Sequence, residues 1–172
     1  MDPFAALLDD FRQAGVRFLV IGVWGANYYA HGSSLLFSTQ DRDLFLPLDA
    51  GNLLAAWNTC AAKGFTLWAG SEPLDVPRNA ALAESVIARR VTTRASDEHG
   101  LDVDLSLVMS GFDFETAWSA RRVFRVDEVD IPVARLRHIV ESKAACGREK
   151  DRLFLATHAE ALAALLPDDS ES

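Results

Sequence analysis

The chain is poor in cysteine and histidine. Cys60 and Cys146 are its two thiols, and the four histidines, His31, His99, His138 and His158, are scattered. So few thiols exclude a disulfide scaffold. Both stand in Ala-rich, helix-like stretches and are expected as buried reduced cysteines. No spacing fits a zinc site, and there is no His-Glu-x-x-His, no phosphate-loop motif and no Gly-x-Ser-x-Gly elbow. No apolar run approaches the ~20 residues of a bilayer span. The opening Met-Asp-Pro lacks the basic start of a signal peptide. The expected compartment is cytoplasmic, with no membrane partner. Basic residues are also outnumbered: 17 Lys and Arg against 25 Asp and Glu leave a formal charge of −8 over 172 residues. That balance excludes a surface coated for indiscriminate nucleic-acid binding, which needs a basic face. It permits a local basic groove, and it suits carboxylates gathered around a metal ion.

What is present is an apolar half, 49 % of the chain, enough for a sizeable core. Helix and strand patterns alternate along it. Asp2-Pro3 opens a helix that Gly15 stops, and Arg17–Ile21 reads as a buried strand. Val23–Ala30 reads as a short helix, Ser33–Gln40 as a loop and Arg42–Leu48 as a strand. Asn52–Lys63 is helical, Phe65–Trp68 extended, and Gly70–Ala80 a surface excursion. Val86–Arg94 is β-branched and reads as a strand, paired across an Asp97–Gly100 turn with Leu101–Val108. Phe114–Ala120 follows as a helix, then extended segments over Val123–Val133, then helices over Leu136–Cys146 and Lys150–Leu166. The expectation is one α/β domain, residues 1–166, with a small mixed sheet, helices mainly on one face and C-terminal helices. An acidic flexible tail, 167–172, follows. The four tryptophans are expected mainly in the core.

Carboxylates carry the candidate chemistry. Two Asp-x-Asp pairs occur, Asp41-Arg42-Asp43 and Asp102-Val103-Asp104. With 16 aspartates in the chain, two such pairs are near what chance provides. Their context is more telling, because Asp43 runs into Leu44-Phe45-Leu46 and Asp104 into Leu105-Ser106-Leu107. A carboxylate within an apolar strand is costly unless something compensates it. Residues i and i+2 of a strand share a face, ~7 Å apart, so such a pair can share divalent cations. The other reading is a rim of solvated turn and edge aspartates. Upstream, Phe18–Gly22 ends a strand and Val23–Asn27 opens a helix, a setting in which backbone N–H groups can meet a phosphate.

The run Phe18–Leu46, with Ile21-Gly22, His31-Gly32, Thr39, Asp41, Asp43 and Leu44, resembles the opening of the nucleotidyltransferase (DNA polymerase beta-like) superfamily. It looks most like the small bacterial AbiEii-type branch. Downstream, Ile131-Pro132-Val133-Ala134, Lys143 and Gly147-Arg148-Glu149-Lys150-Asp151 are similar to that branch's ending, and Val103-Asp104-Leu105 matches its third carboxylate. The resemblance implies a minimal nucleotidyltransferase using Mg²⁺, two ions if active. Asp41, Asp43 and Asp104 would be metal ligands and catalytic residues, Asp104 doubling as base and Asp102 its rival. Gly22, Gly25, Thr39, Lys143, Arg148 and Lys150 would bind the NTP's phosphates. Two departures stand out: Val23 follows Gly22 where the family has a second small residue, and Arg42 replaces an apolar residue between the aspartates. An arginine there implies an exposed strand face or a substrate contact.

Nine of the 17 basic residues fall in 121–152 beside six acids, which implies a basic patch facing the acidic site. The function so implied is transfer of a nucleoside monophosphate from an NTP to a hydroxyl on RNA, a small molecule or a protein. The alternative is a degenerate interaction protein with a protein partner, as in a toxin–antitoxin pair. A sugar-nucleotide transferase would leave the Lys143–Asp151 run unexplained.

Overall fold

Asp2 accepts a hydrogen bond from the Ala5 N–H at 3.0 Å and Pro3 follows, so the chain enters helix α1 (Pro3–Gln13) at once. Phe4, Leu7, Leu8 and Phe11 form its buried stripe. The computed structural model describes residues 1–30, 37, 39–74 and 77–169. Strand β1 (Leu19–Ile21) runs directly into α2 (Gly22–Tyr29), and β2 (Arg42–Phe45) returns antiparallel to β1 with Asp43 opposite Ile21. Helix α3 (Ala50–Ala62) starts two residues earlier than expected because the Asp49 carboxylate caps it, accepting from Asn52 N–H. Then come β3 (Thr66–Ala69), β4 (Glu72–Pro73), α4 (Ala80–Arg89), β5 (Thr93–Ser96) and β6 (Asp102–Ser106). The chain continues with α5 (Phe114–Ser119), the hairpin β7 (Arg122–Val126) and β8 (Val129–Val133), then α6 (Leu136–Cys146), α7 (Glu149–Thr157) and α8 (Ala159–Asp169).

Among the described residues the eight strands form one mixed sheet, in the order β4-β3-β5-β6-β2-β1-β8-β7. The β1–β8 and β2–β6 pairs are parallel and the rest antiparallel. This is the mixed α/β class expected, with helices closing the C-terminal end. Strand β6 alternates cleanly: Val103 and Leu105 are buried, while Asp102, Asp104 and Ser106 lie on the other face. The buried face packs on α1, α3 and α4 through one apolar core. A smaller cluster joins Ala26 and Ala30 of α2 to Leu136 and Leu162. No helix among the described residues is long and apolar enough to cross a membrane.

Three expectations need correction. Val86–Arg94 is not one strand: α4 runs to Arg89 and only Thr93–Ser96 is extended. Asn79 caps α4 by accepting from Leu82 N–H, and the Ala80–Ala83 run outweighs the β-branched Val86 and Ile87. The last helix breaks at His158 into α7 and α8: His158 leaves the helical region at φ −109° and ψ 18°, and a new helix starts beyond it. Helix α8 continues through Pro167 to Asp169, into the segment expected as a tail. The expected loop Ser33–Gln40 and His31-Gly32 fall mostly outside the described residues.

Trp57 of α3 fixes its helix to the sheet by donating its Nε1–H to Thr93 Oγ1 at 3.1 Å, both residues being fully buried. Thr93→Val keeps the shape and orphans that N–H. The expected cost is about 1–3 kcal/mol, read as a lowered urea midpoint. An unchanged midpoint would mean that packing alone holds the helix.

Candidate active site

Strands β2 and β6 lie side by side in parallel, and their register places Asp43 directly beside Asp104. Asp41 stands two residues before Asp43, on the same side of the chain. All three line one cavity of about 410 Å³. Asp43 is the deepest of them electrostatically. Burial pushes its carboxyl up first, then the charges of Asp104 and Asp41, to about 6, against the opposing pull of Lys143 and Lys150. Gly22 closes the floor. Its φ is +70°, and a Cβ there would lie 2.8 Å from Asp43 Oδ2. Gly22→Ala therefore combines a strained backbone with displacement of Asp43. A loss of about 1–2 kcal/mol in thermal unfolding is expected, together with loss of any Asp43-dependent activity. Wild-type stability in that variant would contradict the close approach.

The opposite wall comes from α6 and the start of α7. Ile139, Ser142, Lys143 and Cys146 recur at helical spacing and all face the cavity, followed by Arg148, Lys150 and Asp151. Asp151 is 1 % exposed and ties this wall together. Its carboxylate accepts from Arg148 Nε at 2.7 Å and Nη2 at 3.2 Å, and from Lys143 Nζ at 3.4 Å. Burial pushes the Asp151 carboxyl up, but the Arg148 hydrogen bonds and the Lys143 charge prevail and hold it below the ordinary range. The cavity thus has an acidic floor and a basic wall, the layout that suits a polyphosphate bridged to carboxylates by cations.

Neither a protein-family description nor a curated protein matches the sequence. Solved structures do match the fold. LnuA, a lincosamide antibiotic adenylyltransferase with lincomycin bound, aligns at a TM-score of 0.60 with 12% identity, over 96% of this chain and 98% of its own. An antigenic nucleotidyltransferase-like protein from Paracoccidioides brasiliensis aligns at 0.53 with 13% identity, over 95% and 73%. The antibiotic-resistance factor ANT(2'')-Ia aligns at 0.50 with 13% identity, over 98% and 92%. This chain has the nucleotidyltransferase fold. The three relatives speak to that fold and not to its AbiEii-like branch.

On the nucleotidyltransferase fold, Asp41, Asp43, Asp104, Gly22, Lys143, Arg148 and Lys150 are brought together around one cavity. Thr39 instead braces the strand entry, its Oγ1 accepting from Asp41 N–H at 3.0 Å. Gly25 does not reach the cavity. It lets α2 pack against α6 and β1, a Cβ there lying 3.1 Å from both Ile139 Cδ1 and Val20 O. Asp102 lies outside the cavity lining and accepts from Ser96 Oγ at 2.6 Å. Arg42 is half-buried and does not line the cavity. Its guanidinium lies 3.6 Å from the Trp24 ring centroid and within 5.9 Å of Phe4. The two-residue alternation turns it away from its flanking aspartates. Cys60 is buried, but Cys146 is exposed on the cavity because it ends the cavity-facing stripe of α6. The basic 121–152 segment does not form one patch. Three of its cations line the cavity, while Arg121 stacks on Trp118 and Arg125 pairs with Asp130.

Arg94, Thr92, Ser106 and Asp151 also line the cavity and were not expected there. Arg94 lies across from Asp104 in the β5–β6 pair, its Nε donating to Asp104 Oδ1 at 2.8 Å and its Nη2 to Oδ2 at 3.2 Å. A signal for it existed. A hairpin turning at Asp97–Gly100 puts residues 94 and 104 opposite each other, and opposite charges at such sites attract. As they stand, no three His, Cys, Asp or Glu side chains among the described residues form a ready metal cage. The donor set nonetheless fits a hard cation: it is all oxygen, it lines one cavity, and the burial and the charges of Asp104 and Asp41 that raise Asp43 are what a cation would offset.

Proposed function

We propose that this chain is a divalent-metal-dependent nucleotidyltransferase, moving a nucleoside monophosphate from an NTP to a hydroxyl of a small molecule. The observation that carries this reading is the Asp43–Asp104 pair, side by side in register and facing Lys143, Arg148 and Lys150 across one cavity. Asp41, Asp43 and Asp104 would hold Mg²⁺. When bound, the ions supply Lewis-acid stabilisation of phosphate charge and ease loss of the acceptor's proton. Asp104 is placed to take that proton. The acceptor oxygen then bonds to the α-phosphorus as the bond to the β-phosphate oxygen breaks, and pyrophosphate leaves. Lys143, Arg148 and Lys150 offset the charge of the leaving group. No side chain caps the start of α2, so its first N–H groups remain available to a phosphate above Gly22.

A small-molecule acceptor is favoured over an RNA end or a protein. LnuA, a lincosamide antibiotic adenylyltransferase, aligns over nearly the whole of both chains. The −8 charge and the dispersed basic residues offer no track for a nucleic-acid backbone. Nothing in the described residues or the three relatives supports the toxin–antitoxin alternative. Calorimetry with each NTP, with and without Mg²⁺, tests the proposal. Binding should require Mg²⁺ and weaken at least tenfold in Asp41→Asn. Binding that ignores both the ion and that substitution would refute it.

A further inference from the structure

Asp104 sits between two very different neighbours. On one side, in the parallel pair, is the carboxylate of Asp43; on the other, in the antiparallel pair, is the guanidinium of Arg94. Arg94 takes both oxygens of Asp104, at 2.8 and 3.2 Å, in the fork geometry that guanidinium and carboxylate share. Its Nη1 also lies 3.7 Å from Asp102 Oδ2. Each oxygen of a carboxylate held this way already accepts from Arg94, so a cation or an acceptor's proton must compete with the guanidinium for it. The charges of Asp41 and Asp104, by contrast, both bear on Asp43.

The geometry points to Arg94 as a built-in competitor for the divalent cation: it occupies Asp104 in the nucleotide-free protein and must release it before Asp104 can act as a ligand or a base. This rests on the nucleotidyl-transfer reading above and assigns a control to the same site. Three features support it. The contact is two-pronged, so the guanidinium engages both oxygens of the carboxylate rather than one. Arg94 is 45 % exposed and Asp104 22 %, so the pair is not locked by burial and can exchange. Arg94 itself lines the cavity, so its charge stays within reach of an incoming polyphosphate after it lets go. Arrival of the nucleotide with its cation would then trade one counter-ion of Asp104 for another, and the fully acidic site would form only when substrate is present.

The test is Mn²⁺ binding to the whole protein without nucleotide, read by electron paramagnetic resonance of the free ion, for wild type, Arg94→Gln, Arg94→Lys and Asp43→Asn. Arg94→Gln should bind Mn²⁺ about fivefold more tightly than wild type, the scale of one exposed ion pair. Arg94→Lys, which keeps the charge but loses the fork, should fall between. Circular dichroism and the melting midpoint establish that each variant is folded. Equal affinity in wild type and Arg94→Gln overturns the inference while leaving the parent reading intact, provided Asp43→Asn weakens binding. Weaker binding in Arg94→Gln also overturns it, because Arg94 would then orient Asp104 for the ion rather than compete with it. No Mn²⁺ binding by wild type or Arg94→Gln at millimolar ion, with or without ATP, overturns the nucleotidyl-transfer reading and this inference together.

Discussion

Asp43→Asn is expected to abolish nucleotide transfer and, in the same protein, to raise the melting temperature of the metal-free chain. Both effects follow from one placement. Asp43 is half-buried beside Asp104 and near Asp41, and its carboxyl is raised from 3.8 to about 6. The folded chain therefore holds this proton more tightly than the unfolded chain. The group's contribution to stability is greatest below about pH 4, falls as pH rises to about 6, and stays low above. At pH 7.5 the ionised Asp43 costs the metal-free fold about 2–3 kcal/mol, and a neutral amide of the same shape removes that cost. For a chain of this size the gain is about 5–10 °C. Thermal scans in a chelator should show the full gain at pH 7.5 and about a third of it at pH 4.5. Added Mg²⁺ should stabilise wild type but not the variant. A variant no more stable than wild type at pH 7.5 would mean that Asp43 is solvated rather than strained.

Asp151→Ala should act in the opposite direction on stability. Asp151 is almost fully buried and satisfies Lys143 from α6 and Arg148 at the start of α7. Removing it leaves Lys143, whose side chain is 13 % exposed, without its anion in a confined setting. Breaking a buried pair from one side costs about 3–5 kcal/mol, and the exposure of Arg148 puts the expected loss near the lower end, about 3 kcal/mol. The basic wall would also lose its alignment. KM for the nucleotide should rise about tenfold, the worth of one charge-assisted hydrogen bond, with a smaller change in kcat. Asp151→Asn keeps an acceptor and should lie between. Because the Asp151 carboxyl is held below its ordinary range, its support is present at neutral pH and fades as acid protonates it. A unit rise in kcat with unchanged KM would contradict the assigned role.

The carboxylates were the legible part of the site. Asp43 and Asp104 each lead an apolar strand, and period-two alternation alone puts them on the face opposite Leu44 and Leu105. What the alternation does not reveal is pairing order: nothing local says that β6 lies beside β2 rather than at an edge. Arg94 was obscured by reading Val86–Arg94 as a single strand, which hid where β5 begins. The packing of Arg42 was hidden for a different reason. Its partner Trp24 is 18 positions away on another element, and sequence does not show which aromatic ring a strand's far face will meet. Asp151 stood within the recognised Gly147–Asp151 run, but its role as an anchor depends on α6 turning back at Gly147, in the left-handed region at φ 65°. The break at His158 was illegible because Ala, Leu and Glu continue on both sides with good helix propensity.

The parallel contact between β2 and β6 also has a kinetic meaning. Between Phe45 and Asp102 the chain must build α3, β3, β4, α4 and β5 before the two aspartates can lie abreast. Closing so long a loop is entropically slow, and parallel pairs are among the last contacts such a sheet can secure. The acidic floor is thus a long-range product of the topology rather than a pre-set local motif. A fragment ending before β6 would carry Asp41 and Asp43 without Asp104 beside them. Growing chains are thereby spared the charge crowding of the site until enough apolar core exists to hold it together.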